Sequence, residues 1–179
     1  MSQAASVDTP IIVAQGEYHV ASGPGVVLTT ILGSCVAACL WDEATGIGGM
    51  NHIVLPDATD HDMMRASVGV NAMELLINGI IREGGERSRL RAKLFGGARM
   101  IAGLSNVGAR NGAFAQDFLE AEGIPCVSAS LGGVCGRRVQ FWPATGRARQ
   151  KLLQDAMPDE AAALQAPPPA PATDTVELF

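Results

Sequence analysis

The chain has 179 residues, a net charge of -5, 47% hydrophobic residues and four cysteines. That length suits one domain with its own core and is cramped for two, and Gly, charged or turn residues interrupt every apolar run before it reaches the roughly 18 residues a membrane-spanning helix needs. All 13 basic residues and 13 of the 18 acids fall within residues 1–154, so the body is formally neutral, the acid excess lies in the tail, and the footprint of a nucleic-acid binder is missing.

The opening "MSQAASVDTP" has neither the basic start nor the apolar run of a secretory signal, which predicts a cytoplasmic protein whose Cys35, Cys39, Cys126 and Cys135 are reduced thiols. Residues 10–20 and 25–32 are rich in β-branched residues and separated by "ASGPG", which reads as two strands. "CVAACLWD" continues as strand, "EATG" turns, and "IGGMNHIVLP" is a further strand stopped by Pro56. Val70, Met73, Ile77, Ile80 and Ile81 recur at helical spacing before a Gly pair, predicting a helix over 66–85 with one buried face. "RAKLFGGARMI" reads as a strand opening into a Gly turn, and 106–125 as a loop and second helix with Phe114, Phe118 and Ala121 on one face. "CVSASLGG" and "GRRVQFWPATGRARQKLL" supply closing strands. The order predicts an α+β layered sandwich, a mostly antiparallel β-sheet core flanked by helices, over residues 10–154. Residues 155–179 read as a disordered acidic, Pro- and Ala-rich tail. The cluster Arg87, Arg89, Arg91 and Lys93, beside Glu83 and Glu86, reads as solvated surface.

Chemistry concentrates around Cys35. Gly33 and Ser34 precede it at a strand end, where small residues let the backbone turn sharply and aim amide N–H groups at an incoming carbonyl, as in an oxyanion hole. A thiol at its ordinary pKa is mostly protonated at neutral pH and needs a base. Of the three histidines, His52 follows a small-residue run in the next strand, while His19 and His61 sit in an outer strand and an acidic loop. The hydroxyl of Thr29 could hold the ring's other nitrogen. On spacing alone, Cys35 and His52 read as a packed thiol and a satisfied core histidine rather than as a catalytic pair. A zinc site lacks a C-x₂-C pair, and Cys35-x₃-Cys39 lacks the spacing of a redox hairpin.

"LGSCVAACLWD" with "GIGGMNHIVLP", then "MELLING", "FGGARM", "NVGARN" and "LGG..GRRV.F...TG", resembles the CheD family of chemoreceptor glutamine deamidases over about residues 10–152. The resemblance implies Cys35 as nucleophile, His52 as base and Thr29 as third member, with the adjacent Thr30 as the competing assignment. It implies hydrolysis of receptor glutamine side chains to glutamate, with glutamyl methyl esters as further acyl donors and no metal or organic cofactor. Expected partners are methyl-accepting chemotaxis receptors and a CheC-type phosphatase, for a monomer that neither inserts in membranes nor binds nucleic acid. A second reading makes the protein mainly a binding module that docks with that phosphatase. Ser130 and Val134 depart from the family pattern, which has an acid and an Asn there. The closing "VELF" reads either as a frayed end or as a docking peptide on a tether.

Overall fold

The computed structural model describes residues 9–56, 62–100, 106–154 and 176–179. In chain order the elements are β1 (Thr9–Ile12), β2 (Tyr18–Ser22), β3 (Val26–Leu32), β4 (Val36–Asp42), β5 (Ile47–Asn51), α1 (Asp62–Arg82), β6 (Arg91–Gly96), α2 (Val107–Ala121), β7 (Cys126–Leu131), β8 (Gly136–Trp142), β9 (Arg147–Leu153) and β10 (Val176–Leu178). They form two five-stranded sheets, β1-β3-β8-β9-β10 and β2-β5-β4-β6-β7. The pairs β1–β3 and β6–β7 are parallel and the rest antiparallel. This is the α+β layered sandwich expected from the order of elements.

β4 is buried at every residue because each of its faces has a partner layer. Val36, Ala38 and Leu40 face the helices, together with Ala92 and Leu94 of β6 and with Met73, Leu76, Ile77 and Ile80 of α1. Ala37, Cys39 and Trp41 face the other sheet, against Leu28, Leu32, Val139 and Phe141. Alternation along a strand sends successive side chains to opposite faces, so a strand between two apolar layers carries apolar residues at both parities.

Two helix faces differ from the periodicity reading. On α1 the buried seam runs through Met73, Leu76, Ile77 and Ile80, whereas Val70 and Ile81 are 41% and 38% exposed. At the turn of Val70 the packed residue is Gly69, where a Cβ would sit 2.4 Å from the Phe114 ring, and a neighbour one position on is rotated about 100° away from that contact. On α2 the buried residues are Gly108, Asn111, Gly112, Ala115, Phe118 and Leu119, while Ala121 lies outside the seam and is exposed.

Two surface expectations also change. Lys93 is only 7% exposed, with its ammonium 5.4 Å from the centre of the Trp41 ring and donating to the main-chain oxygen of Phe179. Burial lowers its pKa. The expected disordered tail over 155–179 fails at its end. Residues 176–179 return to the domain, with β10 antiparallel to β9 and the Phe179 ring edge-on to Phe95 at 5.5 Å. Residues 155–175 lie outside the described residues.

Candidate active site at the sheet crossover

β3 and β4, on either side of the turn expected at Gly33 and Ser34, belong to different sheets, and Gly33, Ser34 and Cys35 carry the chain from one to the other. The crossover is tied down at all three carbonyls. Ala98 N–H donates to Gly33 O at 2.9 Å and Gly97 N–H to Cys35 O at 2.8 Å, while Asn111 Nδ2 donates to Ser34 O at 2.9 Å. The fit is close: a Cβ on Gly96 would lie 2.1 Å from Cys35 O, at a φ of +114° that only Gly adopts readily.

His52 reaches the same place from β5. Val36 and Ile53 exchange backbone hydrogen bonds of 3.2 and 2.7 Å, which continues the register that pairs Cys39 with Met50. Ala37 then stands opposite His52, and Cys35 is its diagonal neighbour on the face between the sheets. By the alternation of an antiparallel ladder the His52 backbone points away from β4 and pairs with Gly16 and Glu17, at 3.0 Å each. Opposite Ala38 the Asn51 side chain enters the ladder, its Oδ1 accepting from Ala38 N–H at 2.9 Å.

Of the two adjacent threonines, Thr30 and not Thr29 meets the ring. Thr30 Oγ1 lies 2.9 Å from His52 Nδ1, whereas the Thr29 hydroxyl faces away and donates to Val139 O at 3.0 Å. The reason is strand parity: Thr30 shares its face with Leu28 and Leu32, which pack into the layer between the sheets. Thr30 also fixes the tautomer. Its single proton is committed to Val13 O at 2.7 Å, so toward the ring its oxygen accepts, and the imidazole carries its hydrogen on Nδ1. The lone pair is then on Nε2. Burial pulls the imidazole down to about 4, with the Val13 carbonyl opposing, so the ring is neutral at pH 7.

The remaining sulfurs have other environments. Cys35 is half-buried, whereas Cys39, four residues further along in β4, is fully buried and its thiol is pushed far up by desolvation. Cys126 is exposed on β7 and Cys135 half-buried. Among the described residues no three His, Cys, Asp or Glu side chains are grouped to hold a metal. His19 is exposed on β2, and His61 lies outside the described residues. Ser130 accepts from Arg137 through its carbonyl at 2.7 Å and its hydroxyl at 3.1 Å, and from Gln150 at 2.8 Å. Val134 is 66% exposed. Beside the crossover a cleft of about 350 Å³ opens between Gly97, Arg99, the start of α2 and the loop Gly132–Val134.

Asn51 and Asn111 were not anticipated. For Asn111 a signal existed, since it falls between Gly108 and Gly112 on the small-residue side of α2.

Comparison with known proteins gives the family. Residues 54–152 match the family model described as CheD chemotactic sensory transduction. A Caulobacter vibrioides protein named probable chemoreceptor glutamine deamidase CheD is 53% identical, over 93% of this chain and 91% of its own length. One of the same name from Agrobacterium fabrum is 51% identical over the full length of both chains. Among solved structures, the Bacillus licheniformis hypothetical protein YfiH aligns with a TM-score of 0.44 and 14% identity, over 72% of this chain and 61% of that one. No helix among the described residues is long and apolar enough to cross a membrane. With a family model covering more than half its length and relatives about 50% identical across nearly all of it, the chain belongs to the CheD family.

Proposed function

We propose that this protein hydrolyses the side-chain carboxamide of glutamine residues in chemotaxis receptors, giving glutamate and ammonia. The observation that carries the reading is the meeting, at one crossover, of a half-buried Cys35 and a neutral His52 whose Nδ1–H is held by Thr30. The names of the relatives support the substrate class.

In the first half-reaction, His52 Nε2 takes the Cys35 proton as the sulfur bonds to the carboxamide carbon, and the carbonyl electron pair moves onto oxygen. The amides of Ser34 and Cys35, presented by the turn at Gly33, face that oxyanion. The imidazolium then gives its proton to the nitrogen, the C–N bond breaks, ammonia leaves and a thioester remains. In the second half-reaction water passes a proton to Nε2 and adds to the thioester carbon. The C–S bond breaks, the proton returns to sulfur, and glutamate is released. A glutamyl methyl ester enters the same steps with methanol as leaving group. The cleft between Gly97 and the Gly132–Val134 loop is where a receptor helix approaches, since Gly97 is itself bonded to the Cys35 carbonyl.

The test is incubation with receptor cytoplasmic fragments and mass-spectrometric mapping of glutamine-to-glutamate conversion. Conversion at discrete sites, lost in Cys35→Ala, is expected. No conversion by the wild-type protein, or conversion undiminished in Cys35→Ala, would overturn the reading.

A further inference from the structure

Three consecutive carbonyls at the crossover are tied, but not in the same way. Those of Gly33 and Cys35 accept from backbone amides of the Gly97–Ala98 turn, whereas that of Ser34 accepts from a side chain, Asn111 Nδ2, contributed by α2 from 77 positions away. In a trans peptide the N–H points opposite to the preceding C=O, and no peptide among the described residues is cis. The direction of the Cys35 N–H is therefore set by where the Ser34 carbonyl is held, and Asn111 holds it.

Asn111 is fully buried, and its Oδ1 has no hydrogen-bond partner among the described residues. An enclosed amide oxygen left unsatisfied is costly, so packing alone is a poor reason for Asn at this position. α2 is brought close enough by Gly108, where a Cβ would lie 2.5 Å from the carbonyl oxygens of Gly97 and Ala98. The start of the helix and the Gly97–Ala98 turn thus press on the crossover together.

We propose that Asn111 is a positioning residue of the deamidation reaction: through Ser34 it orients the Cys35 amide toward the oxyanion. The inference rests on the reading of Cys35 as nucleophile and adds a residue that touches neither substrate nor thiol. The step it serves is distinct from nucleophile activation. Alkylation of Cys35 by iodoacetamide forms no oxyanion, whereas attack on a carboxamide does, so the two reactions separate the roles.

The experiment measures kcat and KM for a receptor cytoplasmic fragment, and the iodoacetamide alkylation rate of Cys35, in wild type, Asn111→Ala and the isosteric Asn111→Asp. The new carboxylate has no donor for Ser34 O, yet fills the same space. For both variants kcat is expected to fall by about a hundredfold, the range for loss of an oxyanion donor, with KM and alkylation rate within about twofold of wild type. If Asn111→Ala fails to fold, Asn111→Asp alone decides the matter. Unchanged kcat in a folded variant would overturn the inference, and so would an equal fall in kcat and alkylation, since the residue would then act on the thiol or the fold at large. A wild-type protein that alkylates but does not deamidate would instead remove the functional reading on which the inference stands.

Discussion

The two ends of β4 bury ionisable groups in opposite ways. At one end Asp42 is fully enclosed and accepts from Arg89 Nε and Nη2, from Glu86 N–H at 3.0 Å and from Ala44 N–H at 3.0 Å. The Arg89 hydrogen bonds, then the two backbone donors, outweigh burial and hold its carboxyl well below the usual carboxylate range. It is a permanent charge that straps β4 to the following turn and to the short helix Arg87–Arg89. At the other end His52 is buried neutral, with its Nδ1 committed to Thr30. A charge saturated by several partners cannot exchange a proton without breaking them all, whereas a neutral ring anchored at one nitrogen keeps the other for chemistry. Burial alone therefore does not mark a site; the pattern of partners does.

The sharpest break between the ends is in activity. Cys35→Ala should abolish deamidation with the fold intact, as read by mass mapping and circular dichroism, whereas Asp42→Asn should leave turnover per folded molecule near wild type. Cys39→Ala, in β4 four residues after Cys35, should cost roughly 1 kcal/mol of stability and little activity. His52→Gln comes next, with kcat down by about 10²- to 10⁴-fold for loss of a general base.

Strand parity is tested one step lower. Thr30→Val deletes the acceptor of the Nδ1 proton, a hydrogen bond worth up to about 1.4 kcal/mol, or about tenfold in kcat. Thr29→Val leaves His52 untouched and should turn over near the wild-type rate. The reverse order would place the ring's anchor on the other face of β3.

The smallest contrast is in stability against pH. The folded His52 takes its proton only near pH 4, while the unfolded chain takes one near 6.5, so its contribution is whole above about 6.5. It is lost as pH falls from there toward 4, by up to about 1.4 kcal/mol per pH unit. Asp42, lowered in the fold, contributes above the ordinary carboxylate pKa and loses that contribution only at lower pH. Urea melts between pH 7 and 4.5 should slope for wild type and Asp42→Asn alike and be flatter for His52→Gln.

Cys35 and His52 were legible because small residues and motif order surround them. The threonine was not, because both faces of β3 are buried: Val27 and Ile31 on one, Leu28 and Leu32 on the other, so no polar alternation marks which way Thr30 points. Lys93 was misread with its arginine neighbours, although Phe95 two positions on shares its face and lies in the core between the sheets. The strand Val176–Leu178 is too short to show a period, and its place depends on the open edge of β9, a feature of tertiary structure. The turn at Gly33 and Ser34 was legible, but its change of sheet was not, because apolar strands flank it on both sides and nothing local tells one sheet from two.

The most direct measurement is of the covalent intermediate. An acid-quenched reaction of the enzyme with a receptor fragment should contain a glutamyl thioester, located by fragment spectra that separate Cys35 from Cys39. The expected result is an adduct on Cys35 alone, absent in Cys35→Ala; turnover without that adduct, or an adduct on another cysteine, would contradict a nucleophile at the sheet crossover.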